Sequence, residues 1–209
     1  MDWAERANAA IERYEGGETR ELDQRQLTQL GNAAWAAGLA LLMAGRTDES
    51  AEWLRRAADR YRESWADAPP DSWGRPIAAM KALLLAGDDA SEAARWALDA
   101  GAATADSPIG RYAGTLALLV LGDNVGARIL GTTLRDTTDF PPAVADALVE
   151  VAGADRVDYQ IALEDILESF EERSEFLEDV PVADTVLVLQ RLAAARDLTA
   201  DLAPSPVLP

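Results

Sequence analysis

Three times along this chain an apolar helical run stops at a glycine. A short polar turn with aspartate follows, and a second helical run begins. The units are "GNAAWAAGLALLMAGRTDESAEWLRRAADRY" from Gly31, "GRPIAAMKALLLAGDDASEAARWALDAG" from Gly74 and "GRYAGTLALLVLGDNVGARILGTTLRD" from Gly110. Their internal glycines, Gly45, Gly87 and Gly122, stand forty-two and thirty-five residues apart. A period of that size marks stacked helical hairpins. Glycine ends a helix in the left-handed conformation without steric cost. Asp48, Asp88 or Asp89, and Asp123 stand where an N-cap carboxylate would accept the next helix's first free N–H groups.

The faces agree with paired helices. Leu54, Ala57, Ala58, Tyr61 and Trp65 fall on one stripe of the second helix in unit one. Glu52 and Arg56, and Arg55 and Asp59, are four apart on the other side and are expected to pair, neutralising the run Arg55, Arg56, Arg60, Arg62. The first helices are apolar nearly all round, as inner elements of a stack are. Beyond Pro141 and Pro142 the echo fades. Pro141 is expected to open a helix through Val151, and "DYQIALEDILESFEERSEFLED" (158–179) an amphipathic one. A last buried helix follows, with Pro181 in its first turn, and then a tail, 204–209, that docks on the final helices.

The expected fold is all-α: a right-handed stack of antiparallel helical hairpins with about nine or ten helices. Residues 1–203 form one domain, with the three repeats at 31–136 and the C-terminal helices at 141–196. The hairpins resemble tetratricopeptide repeats. In unit one, Trp35, Gly38, Gly45, Ser50, Leu54 and Ala57 fall at that family's aromatic, small, turn-glycine, small, large apolar and alanine positions. Gly122 and Ala127 keep the turn-to-alanine spacing, and Ala93 slips by one after Gly87. The proline that follows the family's second helix has no counterpart. The resemblance implies an α-solenoid-like stack with a concave binding surface.

Composition narrows the chemistry. The 209 residues include no cysteine and no histidine, so disulfides, thiolate sites and the commonest general base and metal ligand are absent. The net charge is −18, and Lys81 is the single lysine. Such a surface repels nucleic-acid phosphates and anionic membranes. The acidity is expected from salt adaptation, from codon usage or from a basic partner. The N-terminal "MDWAERANAAIERYEGGETRE" has no apolar leader pattern, and the longest apolar stretch, 33–45, is too short to span a bilayer, so a cytoplasmic location is expected.

No phosphate loop, dinucleotide fingerprint or EF-hand pattern occurs, and no cofactor is expected. Glu164, Glu168, Glu171 and Glu175 share a helical face that oxygen-liganded cations could use; the expectation is a solvated face and no metal. No catalytic residue stands out. The six tryptophans, Trp3, Trp35, Trp53, Trp65, Trp73 and Trp96, serve mostly as packing. Trp35, Trp73, Arg75, Arg111 and Tyr112 sit near the starts of the first helices, which stacking would bring to one edge. They are the candidate partner-binding residues.

The leading expectation is a non-catalytic scaffold or adaptor for another protein, with homo-oligomerisation open. The C-terminal "PVADTVLVLQRLAAARDLTADLAPSPVLP" also resembles the ends of all-helical immunity proteins of bacterial toxin systems, which close with a proline-initiated apolar helix and a proline-containing tail. That resemblance implies an inhibitor that masks a basic toxin. A carboxylate-only metal protein or enzyme is the remaining alternative.

Overall fold

A computed structural model describes residues 2–18 and 21–209; the expectations above that touch Met1, Thr19 and Arg20 fall outside them. Among the described residues the chain forms ten α-helices and two short 3₁₀ turns. They are α1 (Trp3–Gly17), α2 (Gln24–Met43), α3 (Thr47–Glu63), α4 (Gly74–Ala86), α5 (Ser91–Asp99), α6 (Pro108–Val120), α7 (Asn124–Arg135), α8 (Pro142–Gly153), α9 (Arg156–Glu171) and α10 (Asp184–Ala194). The fold is all-α, as the pattern of good helix formers and glycine stops predicts.

One local device recurs at the turns. Gly45, Gly87 and Gly122 have φ of 73°, 78° and 78°. In each case the next N–H reaches back to a helical carbonyl five residues earlier: Arg46 to Leu41, Asp88 to Leu83 and Asp123 to Leu118, all at 2.9 Å. This is the Schellman closure, which satisfies carbonyls that a helix end leaves free. The same bond closes α8, from the Asp155 N–H to the Glu150 carbonyl at 3.1 Å, and there Ala154 holds the left-handed position at φ 55°. So α8 and α9 form a fourth hairpin, hidden in the sequence because an alanine stands where the others have glycine.

The starts of the helices differ from the expectation in places. Asp123 caps α7, accepting the Gly126 N–H at 2.9 Å. Asp48 does not cap α3; it lies in the first turn, after Arg46 at the N-cap. Asp89 accepts the Ser91 N–H, whereas Asp88 is held by Arg55 from α3 at 2.6 Å. The arginine run of α3 neutralises itself only in part, and not through the expected i,i+4 pairs. Arg60 pairs with Glu63 and Arg56 lies over the Trp53 ring, both within α3, while Arg55 crosses to Asp88, Arg62 lies over Trp96, and Arg60 also reaches Glu18 and the Tyr14 hydroxyl. An i,i+4 pair on an exposed face gains little, so it does not hold these side chains against such partners.

Two C-terminal boundaries move as well. α9 stops at Glu171 rather than running to 179. The turn after Phe170 holds Arg173 and Ser174, so no apolar side chain continues the buried stripe. Arg173 folds back over the Phe170 ring and Phe176 packs beside it. Pro181 lies ahead of α10, not in its first turn, in an extended lead whose Ala183 N–H donates to the Val207 carbonyl at 2.9 Å. That bond docks the tail, and Val207 is buried.

Successive helices pack on one another from α1 to α9, and the first helices also meet: α4 touches α6, and α6 touches α8. Close approach is built in. A Cβ at Gly38 would stand 2.7 Å from Leu54 Cγ, and Ser50 Oγ donates to the Gly38 carbonyl at 2.7 Å, locking α2 to α3. The C-terminal segment then crosses the face of the first helices. The turn Leu177–Asp179 lies on α2, and α10 packs on α4, α8 and α9. Val186, Val188, Leu189, Leu192 and Ala193 of α10 join one contiguous apolar core that runs from Ala7 to Val207. Among the described residues no helix is long and apolar enough to cross a membrane.

Candidate functional site

The five candidate binding residues are largely engaged inside the molecule. Gln26 completes a capping box with Asp23, so α2 starts at Gln24 and Trp35 lies in its middle, not at its start. Trp35 is buried, with the Lys81 ammonium over its ring. Lys81 pairs with Asp184 of α10 and donates to Thr185 Oγ1. Tyr112 is buried near this pair and packs on Phe140 at 5.4 Å between ring centres. Desolvation pushes its hydroxyl pKa upward. Trp35, Lys81, Tyr112 and Asp184 thus form one buried group where α2, α4, α6 and α10 meet.

Trp73, Arg75 and Arg111 do lie where helix starts come together. The Trp73 indole donates to Asp71 and stands 2.9 Å from where a Cβ of Gly110 would be, so α4 and α6 begin side by side. Arg75 reaches the start of α2, donating to the Gln24 side-chain oxygen and to Thr28 Oγ1. Arg111 donates to the backbone carbonyls of Ala105 and Asp106. Neither arginine takes a carboxylate. Arg75 is 8% exposed and its pKa is lowered by desolvation. Arg75 is thus a strut between α4 and α2, whereas the Trp73 indole and Arg111 are held by the loops just ahead of their own helices.

The glutamate face of α9 does not gather. Glu175 lies beyond the helix end, and Glu164 accepts from Gln160 of its own helix. Among the described residues, the carboxylates that converge are Glu150, Asp155 and Asp158, whose oxygens lie within 4.8 Å of one another. Asp155 is the N-cap of α9, accepting the Val157 and Asp158 N–H groups at 3.0 and 3.2 Å. Glu150 and Asp146 of α8 receive Arg135 from α7 at 2.5 and 2.6 Å. A cleft of 260 Å³ opens here, lined by Arg135, Asp146, Glu150, Asp158, Ile161 and Asp165 among others, and so shared by α7, α8 and α9.

Four of the six large apolar side chains left in water among the described residues lie on α7 and α9, and one of them, Ile161, lines this cleft. Val125 and Ile129 on α7 are 72% and 67% exposed, and Val157 and Ile161 on α9 are 69% and 52% exposed. The pairs occupy equivalent positions. "DNVGARI" (123–129) and "DRVDYQI" (155–161) share the pattern Asp-x-Val-x-x-x-Ile, with the aspartate as N-cap in both. Ala127 and Tyr159, two residues beyond each valine, face the core. One register therefore buries one side of each helix and leaves the valine and isoleucine outward. The sequence contains this signal; tracking only glycine stops, rather than helix starts, passes over it.

No protein-family model, curated protein or solved structure matches this chain.

Proposed function

We propose that this protein is a non-catalytic helical-repeat adaptor that binds another protein through the outer face of its last two hairpins. The carrying observation is the doubled Asp-x-Val-x-x-x-Ile start, which leaves two aliphatic pairs in water at equivalent positions of α7 and α9. Large aliphatics clustered in water mark interaction surfaces. The face of the first helices, where a tetratricopeptide-like stack would take its ligand, is crossed by the chain's own α10 and tail. Recognition accordingly falls to the outer helices. The tetratricopeptide likeness is supported by the Gly38–Ser50–Leu54 lock between α2 and α3. The absence of histidine and cysteine favours binding over catalysis, and the acidic surface suits a cytoplasmic protein.

A second version, an immunity-type inhibitor of a basic toxin, draws on the charge distribution. Residues 136–179 hold fourteen acidic and two basic side chains, two thirds of the net charge in about a fifth of the chain. Both versions make the protein a binder and differ only in what is bound.

The test is affinity capture from the source cells with the wild type and with an Ile129→Asp/Ile161→Asp variant whose helicity is unchanged by circular dichroism. A protein retained by the wild type and lost by the variant is the expected result. An identical set of captured proteins overturns the reading.

A further inference from the structure

Three features stand outside the buried framework. A cleft of 590 Å³ between α1 and α2 is lined by Glu12, Arg13, Gln26, Gln29 and Glu178 with other residues, and no group in it is left buried and unpaired. The groove of 250 Å³ over α4 has Arg62 stacked on Trp96 as its wall, a contact already spent within the fold. The outer sides of α7 and α9 are different, because they combine apolar side chains in water with two carboxylates, Asp155 and Asp158, that take no ion pair among the described residues.

We infer that the outer face of α7 and α9 receives an amphipathic helix of a partner protein, apolar on one side and bearing lysine or arginine beside that side, toward the unpaired Asp155 and Asp158. The inference rests on the adaptor reading and names the chemistry of its partner. Val125 with Ile129 and Val157 with Ile161 are each one helical turn apart, about 6 Å along the axis. That spacing matches the i, i+3, i+4, i+7 anchors by which a helix lies in a groove. The cleft beside Ile161 has Asp158 and Asp165 on its α9 side and Arg135 of α7 across from them.

Charge selects the occupant. Among the described residues Asp155 and Asp158 have no ion-pair partner, and Arg135 occupies only part of Glu150 and Asp146. Glu150 already holds Arg135 at 2.5 Å, so the negative charge left without a counter-charge is that of Asp155 and Asp158, which lie within 4.8 Å of it and of each other. A second copy of this chain would bring the same acidic face and be repelled. Arg128 and Arg156 flank the aliphatic pairs, but they are outnumbered by Asp123, Asp146, Glu150, Asp155, Asp158 and Asp165. A basic helix gains both the aliphatic contact and the carboxylate seat.

The probe is a short labelled Leu/Lys peptide with leucine at i, i+3, i+4 and i+7, set against a scrambled isomer of the same composition, and read by fluorescence anisotropy. The ordered peptide is expected to bind at least about tenfold more tightly than the scrambled one. Ile129→Asp/Ile161→Asp should remove that advantage even though it makes the face more acidic. Leu177→Asp, the same kind of aliphatic-to-aspartate change at one exposed leucine against α2, should keep it. Asp158→Asn should weaken the ordered peptide and flatten its salt dependence. Equal binding of the two peptides, an unchanged Ile129→Asp/Ile161→Asp variant, or no binding at all overturns the inference. If the peptide fails while a cellular protein is still captured through Ile129 and Ile161, only the partner chemistry falls. If capture is also indifferent to those residues, the adaptor reading falls with it.

Discussion

Ala154 closes α8 in a conformation that its side chain resists. Its φ and ψ are 55° and 33°, the left-handed region, and the Asp155 to Glu150 bond of 3.1 Å holds it there. The three sister turns use glycine, and Gly122 at φ 78° has nothing within 4 Å of where a Cβ would be. Ala154 is itself exposed, so its strain is that of the backbone. A left-handed alanine costs roughly 1–2 kcal/mol. Glycine removes that cost but gives up about 0.4–1 kcal/mol through its freer unfolded chain. Ala154→Gly should stabilise by about 1 kcal/mol, and Gly122→Ala should destabilise by a similar amount. For a chain of this size the melting temperature should shift by roughly 2–4 °C in opposite directions. Thermal and urea unfolding followed by circular dichroism measure both. A destabilising Ala154→Gly would contradict the equivalence of the fourth turn to the other three.

The buried Lys81–Asp184 pair fastens α10 to α4. Lys81→Met leaves Asp184 without its cation and should cost about 3 kcal/mol, whereas adding Asp184→Leu should recover most of the loss. Burial pulls the Lys81 pKa down, Asp184 more than offsets it, and the net shift is upward from the ordinary value of 10.5. Desolvation likewise raises the buried Tyr61, Tyr112 and Tyr159 hydroxyls above 10.0. For groups whose folded pKa is raised, stability is complete below the unfolded value and is lost as pH rises toward the folded one. The urea midpoint should hold up to about pH 10 and fall above it; a midpoint unchanged to pH 12 would contradict these burials. Gly38→Val drives a side chain against Leu54 Cγ and its backbone N–H, and should cost about 2–3 kcal/mol by urea unfolding. Screening the acidic surface should raise the melting temperature from low salt to about 1 M KCl, where the screening length shortens to about 3 Å; a flat response would remove repulsion as a term in stability.

What the sequence makes legible are features whose partners are local. Gly45, Gly87 and Gly122 end their helices, Asp123 caps α7, and "DTVLVLQ" forms a helix because its valines and leucines have a core to enter. Features decided by distant partners are not legible. Arg75 finds Gln24 and Thr28 some fifty residues away, and Arg55 prefers Asp88 to its own helix. Ala154 conceals a fourth hairpin because residue type alone does not reveal a strained φ. Aromatic and arginine side chains are the residues most often found at hot spots, and here Trp35, Trp73, Arg75 and Tyr112 are buried within the fold. The α7–α9 face was written in a repeated Asp-x-Val-x-x-x-Ile whose exposure depends on which side of each helix the core takes.

The proposal that recognition uses the outer face of α7 and α9, rather than the face crossed by α10, is tested most directly by amide hydrogen exchange with and without the ordered Leu/Lys peptide. Added protection confined to the first turns of α7 and α9 and to the cleft lined by Asp158 and Ile161 is expected, with α1 to α3 unchanged. Protection of α2, α4 and α10, or protection spread evenly over every acidic helix, would contradict it.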